Sequence, residues 1–183
     1  TYALQTGSML GGDRGLELKI LTNPTGLAKY NVTIDSGYAI FDAGTNMTHQ
    51  TSLGYGLKPG DTSPYTYDDM NANLLADGDS AFRFSFYFVD KPLTMQVNLR
   101  STTSGVSLSG PLTIGPSDTP FTYDLAFSTF AGADFTDIDQ IIVTFGNVPA
   151  GDFALTKIET VPEPATLAAL GIGAVALLRR RRK

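Results

Sequence analysis

Leu93-Thr94-Met95-Gln96-Val97-Asn98-Leu99-Arg100 alternates apolar and polar side chains without a break. A period of two over eight residues marks a half-buried β-strand, with Leu93, Met95, Val97 and Leu99 on one face. Immediately upstream, Phe82, Phe84, Phe86 and Phe88 share a face while Arg83, Ser85 and Tyr87 take the other. Asp90-Lys91-Pro92 supplies turn residues between the two runs, so the pair is predicted to form a hairpin. The same period recurs in Phe121, Tyr123, Leu125 and Phe127, in Ile141, Val143 and Phe145, and from Phe153 through Thr160. Leu16–Leu21, Tyr30–Asp35 and Tyr38–Asp42 are further strand candidates bounded by Gly, Pro, Asn or Asp. No helical period precedes Pro164, although 135–140 has room for one short turn. Many short strands with Gly and Pro punctuation predict an all-β antiparallel sandwich of jelly-roll type over residues 1–160, an Ig-like topology being the competing arrangement. Each buried Phe contributes about 1.5–3 kcal/mol, so the four-Phe face anchors a sheet without disulfides.

The stretch from Ala43 to Asp79 breaks this pattern, with five glycines, two prolines and no sustained alternation. Structureless loops longer than about 15 residues are uncommon in compact domains and are often functional. This segment therefore hides strands, forms a site, or does both. Tyr55, Tyr65 and Tyr67 sit within it, and aromatic rings among polar neighbours suit the face of a sugar, although tyrosines also serve to cover a sheet end. Asp77-Gly78-Asp79 places two hard oxygen ligands around a flexible residue, a pair suited to Ca²⁺ or to simple turn capping, and it lacks the spacing of an EF-hand. No other cofactor is indicated.

Composition narrows the chemistry. The 183 residues include no Cys and a single His, His49. Disulfides, thiolate metal sites, cysteine nucleophiles and multi-histidine zinc sites are excluded, and a Ser-His-Asp triad would depend on His49 alone. Positions 1–160 hold 8 basic and 17 acidic residues, a net charge of −9. An acidic body repels phosphate backbones, which argues against nucleic acid as a partner. Paired acids such as Asp134, Asp137 and Asp139, or Asp68 and Asp69, leave acid-catalysed glycoside hydrolysis as an alternative whose geometry sequence spacing does not fix.

The C-terminal end is organised differently. Val161-Pro162-Glu163-Pro164 leads into Ala165–Leu178, fourteen residues without a charge, and then Arg179, Arg180, Arg181, Arg182 and Lys183. A helix over the apolar run would rise about 21 Å, short of a bilayer core of roughly 30 Å, and snorkelling arginines extend its reach. Pro164 is placed to open that helix. The positive-inside rule puts Arg179–Lys183 in the cytoplasm and the body outside. Thr1 to Leu10 is mixed polar and apolar with no basic start, as expected either of a chain shortened upstream or of one whose export signal has been removed.

The order of Pro162-Glu163-Pro164, apolar span and arginine cluster resembles the PEP-CTERM sorting signal of exopolysaccharide-producing Gram-negative bacteria. By that resemblance residues 161–183 are a sorting region: Pro162, Glu163 and Pro164 are recognised by a membrane exosortase, 165–178 is a transient inner-membrane anchor, and Arg179–Lys183 stop transfer. Leu10-Gly11-Gly12-Asp13-Arg14 before Leu16-Glu17-Leu18 resembles the opening of many PEP-CTERM proteins, with Asp where Glu is commoner. The resemblance implies an exported cell-surface or exopolysaccharide-matrix protein without enzymatic activity. A carbohydrate-binding module of jelly-roll type and a secreted glycoside hydrolase are the alternatives, and extracellular polysaccharide is the ligand class in view.

Overall fold

The structure, a computed structural model, describes residues 1–162 apart from Ser36. The apolar helix expected over 165–178 lies outside the described residues, as do Glu163, Pro164 and Arg179–Lys183. Twelve strands are present among the described residues: β1 (Tyr2–Thr6), β2 (Asp13–Thr22), β3 (Tyr30–Asp35), β4 (Tyr38–Ala43), β5 (Thr48–Tyr55), β6 (Asp79–Val89), β7 (Leu93–Ser101), β8 (Gly105–Leu108), β9 (Leu112–Ile114), β10 (Phe121–Ala126), β11 (Gln140–Asn147) and β12 (Phe153–Pro162). They form two antiparallel sheets. One runs β1-β2-β5-β11-β7-β8 with β9 also on β7, and the other runs β10-β6-β12-β4-β3. From β4 to β7, and again from β9 to β12, each connection between consecutive strands crosses from one sheet to the other. That alternation is the habit of a jelly roll.

Strict alternation explains the central strands. Leu93, Met95, Val97 and Leu99 of β7 point inward beside Ile141, Val143 and Phe145 of β11, and all seven are buried. Facing them are Phe82, Phe84 and Phe86 of β6 with Phe41 and Phe153. Two expectations are corrected here. Phe88 leaves the common face because the β6–β12 register slips between Ala154 and Leu155, so Val89 is buried in its place. A bulge of this kind flips the parity of every residue beyond it. The predicted hairpin of β6 and β7 does not form either, since the two strands lie in different sheets. Alternation assigns faces but no partner, and 90–92 is an inter-sheet corner. Its backbone is tied to the neighbouring β11–β12 corner by Asp90 N–H to Asp152 O (3.1 Å), Asp152 N–H to Asp90 Oδ1 (2.6 Å) and Lys91 Nζ to Pro149 O (2.9 Å). Phe127, the last of its alternating run, belongs to a 3₁₀ turn, Phe127–Thr129, and is buried with Phe82, Phe130 and Phe135.

The lone histidine is structural. His49 is fully buried on the inner face of β5, stacked on Tyr30 with centroids 3.8 Å apart, its Nε2 3.2 Å from the Gly151 carbonyl. Burial holds its pKa below the ordinary 6.5, against the opposing pull of Gly151. The unfolded chain therefore takes up the proton first as pH falls, so stability is full above about pH 6.5 and declines below it by up to ~1.4 kcal/mol per unit. Urea unfolding between pH 7 and 5 is expected to show that slope, and His49→Phe to flatten it; an equal slope in both proteins would assign it elsewhere.

Candidate functional site

The outer face of the seven-stranded sheet is built by the residues that alternate with the core. Register places Tyr2, Glu17, Ser52, Thr144 and Gln96 side by side on β1, β2, β5, β11 and β7, a continuous polar row across five strands. Lys19, Gln50, Gly146 and Thr94 form the next row. On the other side Gly15 and Gly54 are direct cross-strand partners, and the absence of side chains there lets the long connection between β5 and β6 lie on the sheet. A Cβ on Gly54 would stand 2.6 Å from Pro64 Cα, and one on Gly15 would stand 3.0 Å from Pro64 N. Gln140 Nε2 fastens the same connection by donating to the carbonyls of Pro64 and Thr66, each at 3.1 Å. Further along, buried Asp139 accepts from Thr102 N–H (2.6 Å) and Thr102 Oγ1–H (2.7 Å), and the Ala72–Ile138 bridge pins the loop a second time.

Seated this way, the connection delivers two tyrosines to the face. The Tyr65 hydroxyl donates to Glu17 Oε2 and lies 3.1 Å from Ser52 Oγ, which in turn is 3.3 Å from Thr144 Oγ1. The phenol of Tyr65 is raised, first by partial burial and then by Glu17, and Tyr2 on the other side of Glu17 is raised by its hydrogen bond to the same carboxylate. Glu17 itself is 9% exposed, accepting from Tyr65 and lying opposite Tyr2 across the β1–β2 pair. Arg100 stacks over the Tyr67 ring, its guanidinium carbon 4.3 Å from the centroid. Tyr65 and Tyr67 nevertheless remain 46% and 37% exposed, leaving ring surface open to solvent. Rings at the rim, with hydroxyls and amides on the floor, can stack a pyranose and exchange hydrogen bonds with its hydroxyls.

The three tyrosines of the irregular segment are thus not brought together. Tyr55 is the last residue of β5, points inward and is buried, with Arg14 Nη1 3.2 Å from its hydroxyl. Asp77 is exposed and Asp79 half-buried on either side of Gly78, whose φ of +78° makes the turn into β6. Among the described residues no group of three or more His, Asp or Glu gathers as a metal centre would require. The polar row of Glu17, Ser52, Thr144 and Gln96 was not singled out from sequence, although Leu16-Glu17-Leu18 already set Glu17 opposite to the core.

Pro162, the first residue of the expected sorting motif, ends β12 and pairs with Asp79, while Val161 is buried one position earlier. The sandwich therefore runs two residues past the boundary expected at 160. Residues 160–183 match the PEP-CTERM protein-sorting motif. The chain carries a PEP-CTERM sorting signal. The PEP-CTERM match covers the tail. Curated proteins include no match to this chain. Among the described residues no helix is long and apolar enough to cross a membrane. Solved structures with a similar fold include a family 11 carbohydrate-binding module from Clostridium thermocellum in complex with a β-1,3-1,4-mixed-linked tetrasaccharide, at 15% identity and TM-score 0.45 over 79% of this chain and 95% of that one. A family 29 carbohydrate-binding module complexed with mannohexaose aligns at 14% identity and TM-score 0.43, covering 88% and 92% of the two chains. The enzymatically active domain of a bacteriophage tailspike protein aligns at 7% identity and TM-score 0.46, covering 80% of this chain and 19% of that one.

Proposed function

We propose that this is an exported surface protein, anchored transiently in the inner membrane by its PEP-CTERM signal and processed there by an exosortase. Its sandwich then works in the exopolysaccharide layer as a non-enzymatic module that holds polysaccharide. The match of residues 160–183, which begins within the last three residues of β12, is the observation that carries the export and processing. The polysaccharide contact is supported by the outer face of the seven-stranded sheet, where Tyr65 and Tyr67 stand beside Glu17, Ser52, Thr144 and Arg100. A binding rather than hydrolytic role is supported by the make-up of the polar row: glycoside cleavage needs two carboxyl groups roughly 5–9.5 Å apart, and Glu17 is the one carboxylate in the row of Tyr2, Glu17, Ser52, Thr144 and Gln96.

The test is co-sedimentation of the full chain with the exopolysaccharide of its host. Changing Tyr65 and Tyr67 together to Ala is expected to weaken retention by about 2 kcal/mol or more, roughly thirtyfold, since each stacked ring contributes on the order of 1 kcal/mol. Retention unchanged in the double variant removes the outer face as the contact. Release of reducing ends from the polysaccharide by the wild-type protein would overturn the non-enzymatic assignment.

A further inference from the structure

Arg14 is a half-buried charged side chain on the inward face of β2. Along β2 the core-facing positions are Arg14, Leu16 and Leu18, and the first of these breaks an otherwise apolar series. The β1–β2 hairpin fixes its setting. Gly11 and Gly12, with φ of +73° and +77°, take backbone conformations open to glycine, and the resulting register puts Gln5 directly opposite Arg14. Arg14 Nε and Nη2 both donate to Gln5 Oε1, at 2.8 and 2.5 Å, and Nη1 donates to the Tyr55 hydroxyl. Both partners are neutral. The ion pairs found among the described residues are Arg83 with Asp124 and Lys157 with Glu159, so no described carboxylate is within salt-bridge distance of Arg14.

Two neighbouring cavities between the sheets share Arg14 as part of their wall. The smaller, about 190 Å³, is also lined by Gln5, Val32, Tyr38, Phe41 and Thr156, and no Asp or Glu belongs to its lining. It has space for about six waters at ~30 Å³ each. The larger, about 650 Å³, adds Met9, Leu10, Tyr55 and Thr160. Lys157 and Glu159 border it as well, but register sets them beside Ser85 and Arg83 on the outer face, where they pair with each other. An unneutralised guanidinium in a half-buried cleft, inside a body of net charge −9, is a local anion trap. Its planar fork matches a carboxylate, and the walls offer hydroxyl, amide and aromatic groups to the remainder of a sugar.

We propose that this inter-sheet cleft binds a carboxylated sugar, with Arg14 as the anchor for the carboxylate. The carboxylate could come from a uronic acid unit or from a free small acid, and the probes separate the two. Titration of the full chain in mild detergent with D-glucuronate, D-glucose and acetate is followed through the Arg14 Nε–H resonance and by calorimetry. Glucuronate is expected to shift that resonance and to bind about tenfold tighter than either glucose or acetate. Arg14→Met is expected to lose about tenfold in glucuronate affinity, and Arg14→Lys to lose less. Glucuronate no tighter than glucose, or an affinity unchanged in Arg14→Met, overturns the site. Acetate as tight as glucuronate overturns the sugar assignment. Should Arg14→Met not fold, the wild-type resonance decides, because a signal unmoved by glucuronate rejects the proposal without any variant.

Discussion

Truncating Phe153 to alanine is expected to destabilise the sandwich by about 3–5 kcal/mol, a loss that most single domains survive only narrowly. Phe153 is fully buried at the start of β12. Its ring stacks on Phe41 with centroids 4.5 Å apart and leans on Phe145 at 5.2 Å, and Phe145 meets Phe86 edge-on at 6.3 Å. Phe145 belongs to one sheet and the other three to its partner, so this string of rings is the contact that ties the layers together. Removing the middle ring leaves a cavity walled by rigid aromatic groups on two strands that cannot collapse into it. Equilibrium urea unfolding of the full chain, followed by tyrosine fluorescence because the protein has no Trp, reads the change. A midpoint shift worth under about 1 kcal/mol would mean that the two sheets are not packed through this ring.

Gly54→Ala is expected to cost about 2–3 kcal/mol, within the range for overpacking, although it adds a single methyl group. The new Cβ would fall 2.6 and 2.7 Å from Pro64 Cα and Cβ, and backbone cannot give way as the tip of a long side chain does. The connection must lift. Lifting it breaks both hydrogen bonds from Gln140, exposes buried Ile142 beneath, and draws Tyr65 away from Glu17 and Ser52. One substitution therefore reports on stability and on the outer face together: polysaccharide retention should fall along with the urea midpoint. Gly60→Ala is the control, because nothing lies within 4 Å of its Cβ position and only its φ of +80° opposes the change. A loss at Gly54 no larger than the loss at Gly60 would show that Pro64 does not resist the added methyl group.

The elements legible in the sequence are those where one face meets a purely apolar core. β6, β7 and β11 satisfy that condition and show their alternation openly. β5 does not, though it lies between β2 and β11, because its inward positions include His49 and Thr51 and its outward ones include Gly54. Polar inward residues hide the period, and so 43–79 reads as one irregular stretch. The same ambiguity grouped Tyr55 with Tyr65 and Tyr67, since only the parity of β5 shows that Tyr55 faces the core. β1, β8 and β9 are edge strands of five, four and three residues, too short for a period to declare itself. Half of the outer face was accessible through its exposed aromatic residues. The polar row beneath them depends on register across five strands, which single-strand patterns do not contain. The tail needed no register at all, because its signal is a linear order of motif, apolar run and charge.

The most direct measurement is the intact mass of the protein recovered from the surface of cells that make exopolysaccharide, beside that of a chain whose Pro162, Glu163 and Pro164 are replaced by alanine. The expected wild-type product has lost Arg179–Lys183 together with the apolar run before them, its new end falling beyond Val161 because that residue is buried in the β12–β6 ladder, while the altered chain keeps its full length in the membrane fraction. A wild-type protein found at the surface with all 183 residues, or one cut equally well without the motif, would contradict the sorting assignment.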